Sequence, residues 1–237
     1  MGWEAEKVPC PSGGVGTGRN LYGNGVYQDL TSVIGHNADS IQTGATMHVG
    51  TDSEVVQLLS DNKWDCGIKV DGTNLFYDDP EANCIELKFP DWPGRAAYFS
   101  SKASRLGLVS DEGHFQGALL WITYSELGSL APIGWKLVEK MRQGFGENRP
   151  LQNARAHFFR SDELLDLKAF LLPCFVFGWD AYLIPFRNND FFVHISHDEY
   201  WGVVSRTRKA YDRLFAELED LNPTDSPEMR RRFCVVS

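Results

Sequence analysis

The densest group of chemically capable side chains in this sequence is His194-Ile195-Ser196-His197-Asp198-Glu199. Two histidines and two carboxylates so close together offer either a metal site or an acid/base pair. Strand alternation sets them apart, because residues three positions apart on a strand point to opposite faces. His194 then shares a face with Phe192 and Ser196, and His197 with Val193 and Ile195. No zinc or iron site is expected unless the chain bends at Ser196. A bulge there would let His194, His197 and Asp198 converge, with Asp180 arriving from a neighbouring strand.

Asp180 is unusual for a different reason: it interrupts the apolar run Phe175–Ile184. A carboxylate in such surroundings must find donors or surrender its charge. Its functional reading is an orienting acid in a cleft, beside Gly178 and with Tyr182 on the same face. Its structural reading is an acid held by an arginine or a tryptophan N–H inside the core. Asp180, His194 and His197 are the candidate catalytic residues.

Two further groups stand near the C-terminus. Arg206, Arg208 and Lys209 cluster at the start of the last long helix, while Glu217, Glu219 and Asp220 crowd its end. This order runs against the helix dipole, and three cations beside unsatisfied backbone N–H groups form a candidate anion site. The plain alternative is a solvated surface cluster. The last four residues, Cys234-Val235-Val236-Ser237, match a C-a-a-X prenylation box behind Arg230, Arg231 and Arg232. In a eukaryotic cell Cys234 would be a farnesyl acceptor and would give reversible peripheral membrane contact; in a bacterium the match would be an accident. No GxSxG elbow and no cofactor-binding pattern is present, and no cofactor is expected. Ser12–Asn20 is glycine-rich but lacks the Gly-Lys-Ser/Thr ending of a phosphate loop.

The elements that would position these groups can be read from periodicity. Asp52 or Ser53 caps a short helix carrying Val55, Val56, Leu58 and Leu59. A hairpin follows, with strands at 65–70 and 73–77 and Asp71-Gly72 as its turn. Residues 85–89 alternate as a half-buried strand, and Ala96, Phe99, Ala103 and Leu106 mark a helix ending at Gly107. Residues 115–124 form a buried strand, and Ile133, Leu137, Val138 and Met141 the inner stripe of a helix stopped by Gly144. Ser161-Asp162-Glu163 opens another helix through about Leu172. Residues 175–184, 191–196 and 201–205 then read as an antiparallel meander. A last helix docks through Tyr211, Leu214, Phe215, Leu218 and Leu221 and stops at Asn222-Pro223.

These signals specify α+β: a single domain of mainly antiparallel sheet with about five helices, ending in a meander plus helix. Residues 1–46 read as a flexible glycine-rich leader, 47–223 as the globular domain and 224–237 as a polar, basic tail. No apolar run reaches the ~18 residues of a membrane-spanning helix, so no transmembrane segment is expected. Five scattered cysteines without a CxxC pair argue for a reducing, cytoplasmic location. A net charge of -9 disfavours nucleic-acid binding and suits a protein partner with a basic surface. The resulting expectation is a non-catalytic protein-binding module, inhibitor- or immunity-like. The alternatives are a small hydrolase or ligand-binding enzyme using Asp180 and the His194/His197 region, and a prenyl-anchored peripheral membrane protein.

Overall fold

The computed structural model describes residues 48–60, 68–71, 74–77, 82–89, 94–124, 131–186, 190–198 and 200–234. In chain order the elements are β1 (His48–Gly50), α1 (Asp52–Ser60), β2 (Ile68–Asp71), β3 (Asn74–Tyr77), β4 (Asn83–Lys88), α2 (Gly94–Ala103), β5 (Ala118–Tyr124), α3 (Ala131–Gly144), β6 (Ala156–Phe159), α4 (Leu164–Phe177), β7 (Asp180–Pro185), β8 (Phe191–Ser196), β9 (Tyr200–Ser205), α5 (Arg208–Glu217), β10 (Thr224–Asp225) and α6 (Pro227–Phe233). Eight strands form one antiparallel sheet in the order β1-β6-β5-β7-β8-β9-β4-β10, and β2 pairs with β3 alone. The described residues form a single α+β domain.

The sheet is covered on both sides, which explains why its inner strands are apolar at nearly every position rather than alternating with polar residues. One face carries Leu120, Ile122, Ala181, Leu183, Val193, Ile195, Trp201 and Val203 beneath α2, α3, α4 and α5. The other carries Leu119, Trp121, Tyr182, Ile184, Phe192 and Val204 beneath α1, the β2–β3 hairpin and α6. Both clusters are sealed; Trp121, Tyr182, Phe192 and Trp201 expose almost nothing.

Four readings of the sequence are corrected here. Residues 175–177 are helical: α4 runs through Pro173 to Phe177 and ends at Gly178, whose φ of 60° is the left-handed conformation that glycine adopts without penalty. Asp180 therefore opens β7 instead of interrupting a strand. Residues 224–234 are folded rather than a tail. Ser226 caps α6 by accepting from the Met229 N–H at 3.3 Å, Pro227 takes the first helical position, and Met229 and Phe233 are buried. Only Gly202 leaves room for that packing, since a Cβ there would lie 2.0 Å from Met229 Cε. The cap of α1 is Thr51, not Asp52 or Ser53: Thr51 Oγ1 accepts from the Glu54 N–H at 3.3 Å, and Glu54 returns a bond to the Thr51 N–H at 2.6 Å. Asp52 instead accepts the indole N–H of Trp121 at 2.9 Å. Finally, Asp71 is paired with Asn74, so it belongs to the strand and not to the turn. The leader, 1–46, lies outside the described residues.

Candidate functional site

The polar centre closest to the sequence reading forms where β5 ends, β7 begins and β8 ends. Tyr124 pairs with Asp180, and the pairing shifts between Ile122 and Tyr124, leaving Thr123 in a bulge whose hydroxyl lies 3.4 Å from the Asp180 carbonyl. His197 follows β8 directly. Its backbone N–H donates to Asp180 Oδ1 at 2.8 Å, and its ring Nδ1 lies 2.9 Å from both carboxylate oxygens. Asp180 thus clamps the turn and the imidazole together. With Nδ1–H given to Asp180, the ring's basic nitrogen is Nε2. That atom faces a second carboxylate, Asp198 Oδ1, at 3.4 Å.

His194 does not join this pair. It lies on the second face of the sheet, buried among the rings of Tyr182 (4.8 Å), Phe233 (4.9 Å) and Tyr200 (6.0 Å). Burial drives its pKa down to about 3, so the ring is neutral. Burial likewise raises the Tyr182 hydroxyl to about 12. The structure therefore unites Asp180 with His197 and sets His194 apart in an aromatic cage. Among the described residues, no group of three histidine, cysteine or acidic side chains is arranged to hold a metal ion.

The other two sequence groups are placed as follows. Thr207 caps α5 by accepting from the Ala210 N–H at 3.2 Å. Arg208 extends away from the helix start, bonding Asp212 at 2.9 Å and lying over the Tyr211 ring. The Arg206 N–H donates to the Asp190 carbonyl at 2.6 Å, and Lys209 is exposed. Cys234 is enclosed at the end of α6, its Sγ 3.6 Å from that of Cys84.

Three features carried no clear signal in the sequence. Arg142 (α3) and His157 (β6) are completely enclosed beneath the helical layer, and among the described residues no hydrogen-bond partner reaches the Arg142 guanidinium. Burial, reinforced by the Arg142 charge, holds His157 near a pKa of about 3. The nearest acid to Arg142 is Glu147 at 4.0 Å, itself gripped by Arg149. An open cleft of about 410 Å3 is lined by Tyr98, Ser101, Lys102, Arg105, Leu106 and Glu217, none of them a sequence-predicted site residue. The third feature is an apolar outer surface. Leu165 and Val176 on α4 are 56% and 42% exposed, and Ile133 on α3, expected in the inner stripe, is 58% exposed. The two helices touch near Ile133, because a Cβ on Gly134 would lie 2.7 Å from the Phe177 ring.

Comparison with protein-family models, curated proteins and solved structures finds no match to this chain.

Proposed function

We propose that this is a non-catalytic protein-binding module that engages its partner through the outer face of α3 and α4. The observation that carries the reading is the character of α4. It is apolar on every side, with Leu164, Leu165, Leu167, Phe170, Leu171, Leu172, Phe175, Val176 and Phe177 around its circumference. A helix of that kind is normally enclosed all round, yet Leu165 and Val176 face solvent, with Ile133 beside the helix's C-terminal end. Exposed apolar side chains mark an interaction surface where they join into one patch, and Ile133, Leu165 and Val176 would supply such a patch on adjacent helices. Asp180, at the start of β7, follows α4 directly in the chain, and with His197 and Asp198 it would supply a polar rim to this face. The net charge of -9 would steer a basic partner toward the molecule.

The test uses the full chain with Val176→Glu and Ile133→Glu, both exposed and so compatible with folding, against an Asp111→Lys control. Partners recovered from the native host by affinity capture would be compared by mass spectrometry, and sedimentation would report self-association. A protein captured by wild type and the control but lost at least tenfold from both glutamate variants supports the reading. Partners retained by both variants, or a homodimer that the variants split, would overturn it.

A second reading, an acid/base enzyme, rests on the 2.9 Å contacts between His197 Nδ1 and both Asp180 oxygens. Hydrolysis of an ester or phosphoester panel that falls at least a hundredfold in His197→Ala, with melting unchanged, would place it first.

A further inference from the structure

We propose that Cys84 and Cys234 form a two-electron modification site, oxidised to an intramolecular disulfide that fastens α6 to β4. Cys84 lies in β4 on the second face of the sheet, and Cys234 follows the last residue of α6. Their sulfurs are 3.6 Å apart although 150 residues separate them in sequence. Disulfide geometry needs about 2.05 Å between the sulfurs. The remaining closure is within reach of a rotation about the two Cα–Cβ bonds and a slight advance of a short terminal helix.

The surroundings already hold the two chains in register. Tyr77 bridges to Cys234 in a parallel pairing, the Ser226 N–H donates to the Cys84 carbonyl at 3.1 Å, and Arg230 Nη2 donates to Asn83 Oδ1 at 2.9 Å. These bonds fix the separation of the thiols without any contribution from the sulfurs. Cys174, by contrast, is enclosed inside α4 with its thiol donating to the Phe170 carbonyl at 3.6 Å, and neither Cys84 nor Cys234 is near it in the fold.

The co-reactant is a low-molecular-weight disulfide such as oxidised glutathione. Contact with Cys234 and burial hold the Cys84 thiol protonated far above the ordinary range. The opening nucleophile is Cys234, the less deeply enclosed of the two, acting as its thiolate once its proton has passed to solvent. It attacks one sulfur of the small disulfide, breaking that S–S bond and releasing one small thiolate. Cys84 then gives up its proton and displaces the second small thiolate from the mixed disulfide. The protein loses two protons and two electrons, and the reagent takes them up to become two thiols. A thiol engaged in this way is not available to a prenyl group, so the disulfide and the lipid are mutually exclusive states of Cys234. The proposal stands independently of the binding face on α3 and α4.

The experiment equilibrates the full chain with mixtures of reduced and oxidised glutathione, blocks remaining thiols after unfolding, and maps peptides without reduction. The expected product is a peptide pair joining Cys84 to Cys234, lighter by two hydrogens than the two reduced peptides together. Closing so long a loop should raise the melting temperature by roughly 5–10 °C. Cys84→Ser and Cys234→Ser should each abolish the shift, and Cys174→Ser should leave it. The mapping on wild type needs no variant to fold. Recovery of both cysteines as blocked thiols or as separate glutathione adducts would overturn the proposal, as would a disulfide joining either to another cysteine or to a second molecule.

Discussion

Replacing Glu147 by glutamine removes the carboxylate that lies 4.0 Å from a completely enclosed arginine, Arg142. Glu147 accepts from the Arg149 backbone N–H at 2.7 Å and from Arg149 Nε at 3.0 Å, and lies 4.0 Å from Arg142. Hydrogen bonding from Arg149 is the largest cause that holds the Glu147 carboxyl at about 2, well below its ordinary range. A depressed carboxyl contributes stability above its unfolded pKa of ~4.3, and that contribution is lost as pH falls through the folded value. A fall of about two units corresponds to ~3 kcal/mol. The Arg149 side chain is nearly half exposed, and solvent screening brings its share to ~1–2 kcal/mol. The substitution also removes the stronger of the two carboxylate charges acting on Arg142, the other being that of Glu139; the loss is ~3–5 kcal/mol for a tight buried pair and less at 4.0 Å. Glu147→Gln should therefore cost ~3 kcal/mol in urea unfolding at pH 7. The difference from wild type should shrink as pH falls from about 5 toward 2. Adding Arg142→Met removes the enclosed charge, so the double variant should lose less than the sum of the two. A Glu147→Gln loss below ~1 kcal/mol, or one that is constant with pH, would refute the reasoning.

Two other expectations concern packing. Leu214→Ala should cost ~2–5 kcal/mol, because Leu214 is fully enclosed under α5. Phe215→Ala should cost about 2 kcal/mol, since that ring is only half-buried beside it; urea unfolding that reverses this order would displace the assigned helix face. Gly202→Ala should destabilise by ~1–3 kcal/mol by driving Met229 outward. Combined with Met229→Ala it should lose less than the two separate losses together, and strict additivity would show that the two residues do not touch.

The strands were legible where apolar and turn residues alternate cleanly, as in the meander of β7, β8 and β9. The junction of α4 and β7 was not. Phe175, Val176 and Phe177 fit a buried strand or a buried helix equally well, and Gly178 ends one and precedes the other. Pro173 added a misleading signal, because a proline inside an apolar run reads as a helix boundary. Residues 224–234 resembled a tail because Arg230, Arg231 and Arg232 dominate their composition. Met229 and Phe233 at helical spacing, behind a Ser-Pro start, were the informative residues. Of the candidate site, Asp180 and His197 stood out by type, but their meeting depends on where β8 ends. Nothing local marks Arg142 or His157, since enclosure is a property of the whole helical layer. The contact of Cys84 with Cys234 joins residues 150 positions apart, beyond the reach of any spacing rule.

The position of β4 in the sheet imposes an order on synthesis. Both of its neighbours come from the far end of the chain: Ile85 pairs with Val203 of β9 on one side and with Asp225 of β10 on the other. At ~5–20 residues per second, β4 leaves the ribosome roughly ten seconds before either partner exists. Through that interval it is a strand with two open edges, the state most prone to pairing with another nascent chain. Glu86 and Lys88 interrupt its apolar residues and blunt that tendency. A ribosome stalled after β8 would release a chain carrying this strand with no partner to take it, a natural substrate for chaperone capture.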